Sequence, residues 1–280
     1  MKSFLNTLRW STWLGWQIES NWADPLTFTV YSLLRPIGTA LILAGMYWAV
    51  ARHGASREAF VAFYVANAFH EYVVRVLIGM GWVIVEEREE YETLRYVYAA
   101  PIGMLAYLTG RSLVKFGLAT VSAVLVLGLG IAVLGVRWDP SRIQPLGFLA
   151  TFGIGLVATL FLGYVVAGAA LLLPRAAINL NEGVGIGLFL VCGVIFPIDL
   201  LPRGLREVAL ALPFTYWYEA LRRFLLGHTA SRLFADWSGP ALLGTLAATT
   251  AVFAALSLWA FRVLEHRARS LGRLDHSTLF

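Results

Sequence analysis

The stretch VIVEEREEYETLRYVYAAP, from Val83 to Pro101, is the one on which the fold turns. Five of the seventeen acidic residues fall within seven positions, Glu86 to Glu92, with apolar sequence on both sides. Tyr91, Leu94 and Tyr98 recur at i, i+3 and i+7, and Glu86, Glu87, Glu90 and Arg95 take the other faces. That period predicts a short amphipathic helix over 86–99, closed by Pro101. Its acids sit near its start, where they complement the helix dipole. Lipid headgroups of an anionic leaflet repel carboxylates, so this helix calls for a basic protein surface docked against it. A solvated charged loop is the alternative.

Composition sets the frame. Of 280 residues, 59% are hydrophobic and 14% charged, against about 25% charged in soluble domains. With a mean hydropathy of +0.70, the chain reads as an all-α integral membrane protein. The net charge of +5 fits basic flanks of membrane helices, and no basic-aromatic stretch argues for nucleic acid. Cys192 is the single cysteine, in an apolar run, and reads as a small buried hydrophobe. The five histidines are scattered, and none has a metal-ligand spacing with another His or with Cys. The first twenty residues lack the apolar core and small-residue site of a cleavable signal.

Six runs are apolar enough to be spans: Leu26–Ala51, broken by Arg35-Pro36, then Glu58–Val85, Phe116–Val136, Leu146–Leu173, Gly183–Ile198 and Pro240–Phe261. Six spans put both termini on one side. The basic cluster from Arg262 to Arg273 votes for a cytoplasmic C-terminus. The expected layout is an interfacial helix over 1–24, a six-helix domain over 25–265 and a basic cytoplasmic tail over 266–280. In the first segment Trp10, Leu14, Ile18 and Trp22 recur every four residues, with Trp13 beside them. Such an amphipathic helix suits the headgroup layer.

At this point the sequence resembles the permeases of type-2 ABC exporters. Glu87-Arg88-Glu89, then Thr93-Leu94, then Pro101 match the coupling-helix pattern of that family. Phe196-Pro197, Leu201-Pro202 and Leu212-Pro213, with the aromatic helix that ends near Leu226-Gly227, resemble its segment after the fifth span. The resemblance implies a transmembrane subunit that dimerises, with a copy of itself or a paralogue, and works with two cytosolic ATPase subunits that hold ATP and Mg. It assigns ATPase coupling to Glu86, Glu87, Arg88, Glu89, Glu90, Tyr91, Thr93, Leu94 and Arg95. The only lysines, Lys2 and Lys115, do not follow a glycine, so a phosphate-cradling P-loop must come from another chain. Family members that export lipid-linked polysaccharide tend to carry Gly-x-x-Trp before the first-span proline. Here ADPLTFTVYSLLRP has none, which favours small amphiphiles or lipids.

Polar residues inside spans mark a second region. Asn67, Glu71 and Arg75 share one face of the second span, bordered by His70. Charge at that depth is expensive unless paired, so the face should meet protein or water. Glu71 pairs at i, i+4 with Arg75 or across to Arg35; this is a packing device, a substrate path or a proton relay. Asn179, Asn181 and Glu182 read as a polar inner loop, with a second, smaller ATPase contact as the alternative. The segment 197–227 is too short and too polar for two more spans and reads as a re-entrant hairpin in the outer leaflet. Its exit gate would be Phe196, Pro197, Phe214, Tyr216 and Trp217. No catalytic constellation stands out. The rival to an exporter subunit is a secondary transporter or channel that uses the Glu71/Arg75 face as its ion path.

Overall fold

Residues 2–21, 24–51, 56–136 and 139–273 are described by a computed structural model, and they are helical, with no strand among them. The helices are α1 (Lys2–Asn21), α2 (Pro25–Ala51), α3 (Arg57–Val85), α4 (Leu94–Ala99), α5 (Met104–Ala132), α6 (Pro145–Leu172), α7 (Pro174–Val191), α8 (Arg203–Ala211), α9 (Pro213–Leu226) and α10 (Gly239–Ser270). Among the described residues, four helices are long and apolar enough to cross a membrane: α3 with its extension to Glu90, α5, α6 and α10. Shorter apolar stretches lie in α2 (Pro36–Gly45) and α7 (Asn181–Val191). The chain is a multi-pass membrane protein. Trp22 and the tail beyond 273 lie outside the described residues, as does the side chain of Arg35.

The second apolar run becomes the axis of the bundle. Ser56 caps α3 by accepting a hydrogen bond from the Ala59 amide at 3.1 Å, and Glu58 in the first turn favours the same end. Helix α3 packs against α5, α6, α7 and α2, so 78% of its apolar window is buried, against 22% for α10. Helix α10 lies along α6 and α9 and turns its remaining apolar surface, including Val252, Leu256 and Trp259, outward.

The bundle has two distinct ends. At the acidic end lie Glu86–Glu90 and the C-termini of α6 and α10. At the hairpin end lie the start of α3, residues 133–136 and 139–144, and the α8–α9 hairpin. Helix α9 folds back into the bundle against α6, α10 and α3 and is buried along most of its length. Gly227, at φ +83°, ends it in a left-handed turn.

Three sequence expectations change. The helix expected over 86–99 is two pieces. Glu86–Glu90 continues α3 as a π-helical turn, and α4 begins only at Leu94. Between them Glu92 takes φ +51°, a left-handed conformation that a right-handed helix cannot pass through. The break expected at Arg35-Pro36 is absent, because α2 runs through Pro36. The polar loop expected around Asn181 is helix, within α7.

Helix α1 crosses α5 through small residues. Thr7 and Ser11 are buried at spacing four, and Gly15 continues the row, while Trp10, Trp13 and Trp16 are at least half exposed. A Cβ placed on Gly110 would lie 2.7 Å from the Leu8 carbonyl oxygen and closer still to the Ser11 hydroxyl. Gly110→Ala is therefore expected to destabilise the α1–α5 crossing by about 1–3 kcal/mol. Gly117→Ala, with open space at the added Cβ, should leave the thermal midpoint in detergent unchanged, and equal midpoints for the two variants would refute the close crossing.

Candidate functional site

The acidic turn is built around buried ion pairs. Glu87 is 3% exposed and Arg111, on α5, 1%. Arg111 Nη1 donates to Glu87 Oε1 at 2.8 Å, and its Nη2 lies 3.4 Å from Glu86 Oε2. The hydroxyls of Tyr107 and Thr93 also donate to the Glu87 carboxylate. With several donors on one anion, burial costs less than for a bare pair. Arg88 points the other way. Its guanidinium donates to the carbonyls of Ala170 at 2.9 Å and Leu171 at 3.1 Å on α6, and to that of Arg273 at 3.2 Å beyond α10. Arg88 Nε also meets Glu89 at 3.2 Å. The carbonyls that end α6 have no partners of their own helix, so Arg88 acts as their cap. Lys115 of α5 pairs with Glu19 of α1 beside this base.

The surface standing on this base is narrow. Glu90, Tyr91, Glu92, Arg95 and Tyr96 are exposed, and the Arg95 guanidinium lies 4.9 Å from the Tyr96 ring centroid. Leu94 turns inward and is 1% exposed. The Tyr91 hydroxyl is held above its ordinary pKa, first by partial burial and then by Glu90 and Glu86, so at neutral pH it remains a hydrogen-bond donor. Of the nine residues expected to couple, Glu90, Tyr91 and Arg95 face solvent. Glu87, Arg88 and Leu94 face the interior, and Glu86, Glu89 and Thr93 are partly covered.

The polar face of α3 lines a groove of about 360 Å³ between α2, α3 and α7. Helix α2 contributes Thr39. Helix α3 contributes Asn67, His70, Glu71, Val74 and Ile78. Helix α7 contributes Asn181, Glu182, Gly185, Ile186 and Phe189. Three of the residues expected on this face, Asn67, His70 and Glu71, therefore share one cavity; Arg75, on the same helix, is not among its lining residues. Thr39 Oγ1 lies 3.5 Å from Glu71 Oε1. His70 Nδ1 lies 2.8 Å from the Tyr218 hydroxyl of α9, and the Phe189 ring stacks obliquely on the imidazole at 5.0 Å. The α7 half of the groove was not legible as such, because Asn181 and Glu182 follow the fourth apolar run and read as its loop.

At the hairpin end the aromatic cluster is interior. Phe214 and Trp217 are fully buried and Tyr216 is 7% exposed. Tyr216 donates to the Leu210 carbonyl at 2.9 Å, and Trp217 lies over Gly155 of α6, where a Cβ would occupy its ring position. Phe196 and Pro197 lie in the turn that follows α7. The hairpin is clamped by a pair that the sequence reading did not single out. Arg222 donates to Glu219 at 2.8 Å, to Ala62 O of α3 at 2.9 Å and to Gly193 O at 2.5 Å.

The family model for the ABC-2 type transporter matches residues 8–226. The chain belongs to the ABC-2 type transporter family. The match runs from α1 to the end of α9, so it holds the acidic turn, the groove and the buried hairpin within one family domain, with α10 beyond it. An ABC-2 type chain is a membrane subunit of a transporter, and this places its function in transport across the bilayer. Among curated proteins, no relative matches the chain.

Proposed function

We propose that this ABC-2 type chain is the permease of an ATP-driven exporter, with ATP and Mg bound and hydrolysed in separate ATPase subunits. The observation that carries the reading is the exposed strip Glu90–Tyr96 seated on buried ion pairs. A docking element must present a surface and also transmit force. Here Glu87 ties the strip to α5, and Arg88 ties it to the ends of α6 and α10. A push on the strip is thereby delivered to four helices at once. In this reading the acidic end is cytoplasmic, as are both termini, in the plasma membrane. The six spans are α2, α3, α5, α6, α7 and α10. The tryptophan face of α1 lies in the headgroup layer, and α8–α9 is a re-entrant hairpin near the outer leaflet, allowed because protein covers its backbone.

The groove between α2, α3 and α7 is the proposed path for an amphiphile: a drug-like molecule, a lipid or a lipid-linked glycan. A second permease, identical or paralogous, would face it across the dimer. The Phe196, Pro197, Phe214, Tyr216 and Trp217 cluster would act on exit by setting the depth of the hairpin, since its rings are packed inward.

The test replaces surface and base separately. Glu90→Ala with Arg95→Ala should leave the thermal midpoint unchanged, because both side chains are exposed, yet reduce transport and co-purification of the ATPase about tenfold or more, the usual cost of losing a docking contact of about 1.4 kcal/mol or above. Normal transport at normal expression would remove the coupling role of the strip.

A further inference from the structure

The groove holds two buried amides with unmet hydrogen-bonding atoms. Asn67 and Asn181 are each 3% exposed, and Asn67 Nδ2 and Asn181 Oδ1 have no hydrogen-bond partner among the described residues. Buried polar atoms in native proteins are nearly always satisfied, so an unmet donor and an unmet acceptor lining one cavity point to an occupant. The two lie far apart. Asn181 abuts Gly81, fourteen residues along α3 from Asn67, which at 1.5 Å per residue is roughly 20 Å. Between them His70 and Glu71 line the groove next to Asn67, and the rest of the wall is apolar, from Val74, Ile78, Gly185 and Ile186. The Asn181 end also carries the exposed carboxylate of Glu182, and no Lys or Arg lines the groove among the described residues.

From this distribution we infer that the groove binds an elongated cationic amphiphile: an ammonium group at Glu182 and Asn181 Oδ1, an apolar body along Val74 and Ile186, and a hydrogen-bond acceptor at Asn67 Nδ2. An ammonium supplies donors to both oxygens at the Asn181 end, and its charge is matched by Glu182. A carboxylate head would meet an acid and an amide acceptor there. A bulky glycan exceeds a cavity of about 360 Å³, at the small end of the range of about 300–1,000 Å³ for ligand pockets. The inference rests on the groove being the transport path proposed above, and narrows the substrate class for it.

The experiment measures binding to the full chain in nanodiscs of uncharged lipid, without nucleotide or ATPase. Three probes share an unbranched twelve-carbon chain with a hydroxyl at one end; the other end is an amine, a hydroxyl or a carboxylic acid. The aminoalcohol should bind about tenfold more tightly than the diol, the gain expected of a charge-assisted hydrogen bond, and the hydroxy acid should bind least. Glu182→Gln, an exposed replacement, should remove most of the preference for the amine. Asn67→Leu should weaken the aminoalcohol to the level of dodecylamine, which lacks the far hydroxyl. Equal affinities for all three probes, a preference for the acid, or no binding at all would overturn the inference. So would an amine preference that survives Glu182→Gln. These outcomes leave the export reading standing. A chain that binds the aminoalcohol as described, but whose assembled complex shows no ATP-dependent transport of it or of other amphiphiles, keeps the site and loses the export reading.

Discussion

Glu87→Ala is expected to cost about 3–5 kcal/mol of stability, the usual penalty for stranding a buried charge. The replacement leaves Arg111, 1% exposed, with Glu86 at 3.4 Å as its remaining carboxylate, and removes the acceptor used by Tyr107 and Thr93. The acidic turn would then lose its anchor on α5 while keeping the Arg88 contacts to α6. Thermal unfolding in detergent, compared with Glu90→Ala, checks this. The neighbouring exposed acid should change the midpoint little. If Glu87→Ala and Glu90→Ala unfold together, the ion pairs do not support the turn. Glu87→Gln should recover part of the loss, because its one amide oxygen still accepts from Tyr107 or Thr93, which use different carboxylate oxygens, while the charge match to Arg111 is gone.

A loss of similar size is expected at the other end of the bundle from Arg222→Met. Arg222 and Glu219 are 0% and 1% exposed. The guanidinium holds α9 to the Ala62 carbonyl of α3 and to the turn at Gly193, and lies 5.3 Å from the Phe63 ring. Methionine fills much of the volume but leaves Glu219 buried, with the Ala230 amide at 2.8 Å as its closest donor. Replacing both partners, Arg222→Met with Glu219→Leu, removes the stranded acid and should restore a good part of the stability. A double variant no better than the single one would mean that the loss comes from the backbone contacts of Arg222 alone.

The helices were legible because hydropathy and length decide them. The sequence places apolar runs where α3, α5, α6 and α10 stand, and its polar face on the second run is the face that lines the groove. What it does not carry is the partner of each side chain. The i, i+3, i+7 recurrence of Tyr91, Leu94 and Tyr98 describes one helix, yet one positive φ at Glu92 divides it, and single-residue backbone conformations leave no period. The density of Glu86–Glu90 suggested acids turned outward to a basic partner surface. Arg111, more than twenty residues on, pairs with Glu86 and Glu87 and holds Glu87 in the interior. The aromatic cluster after Pro213 has the composition of an interfacial belt. Its rings are inside because Gly155 on α6 leaves room for Trp217, a fact of facing helices that local sequence cannot show. Pro36 removes one i→i−4 hydrogen bond, yet α2 runs through it, as membrane helices tolerate.

The central claim is that the acidic end docks a separate ATPase. A photo-crosslinking residue in place of Tyr96, 61% exposed beside Arg95, reads that contact directly; the control is the same residue in place of Leu233, 43% exposed at the hairpin end. The account predicts that illumination of the native complex joins position 96 to a chain carrying a P-loop sequence, identified by mass spectrometry, and that the yield changes when ATP is trapped in the unhydrolysed state. Position 233 should give no such product. A P-loop chain captured at position 233 and not at position 96 would contradict the account.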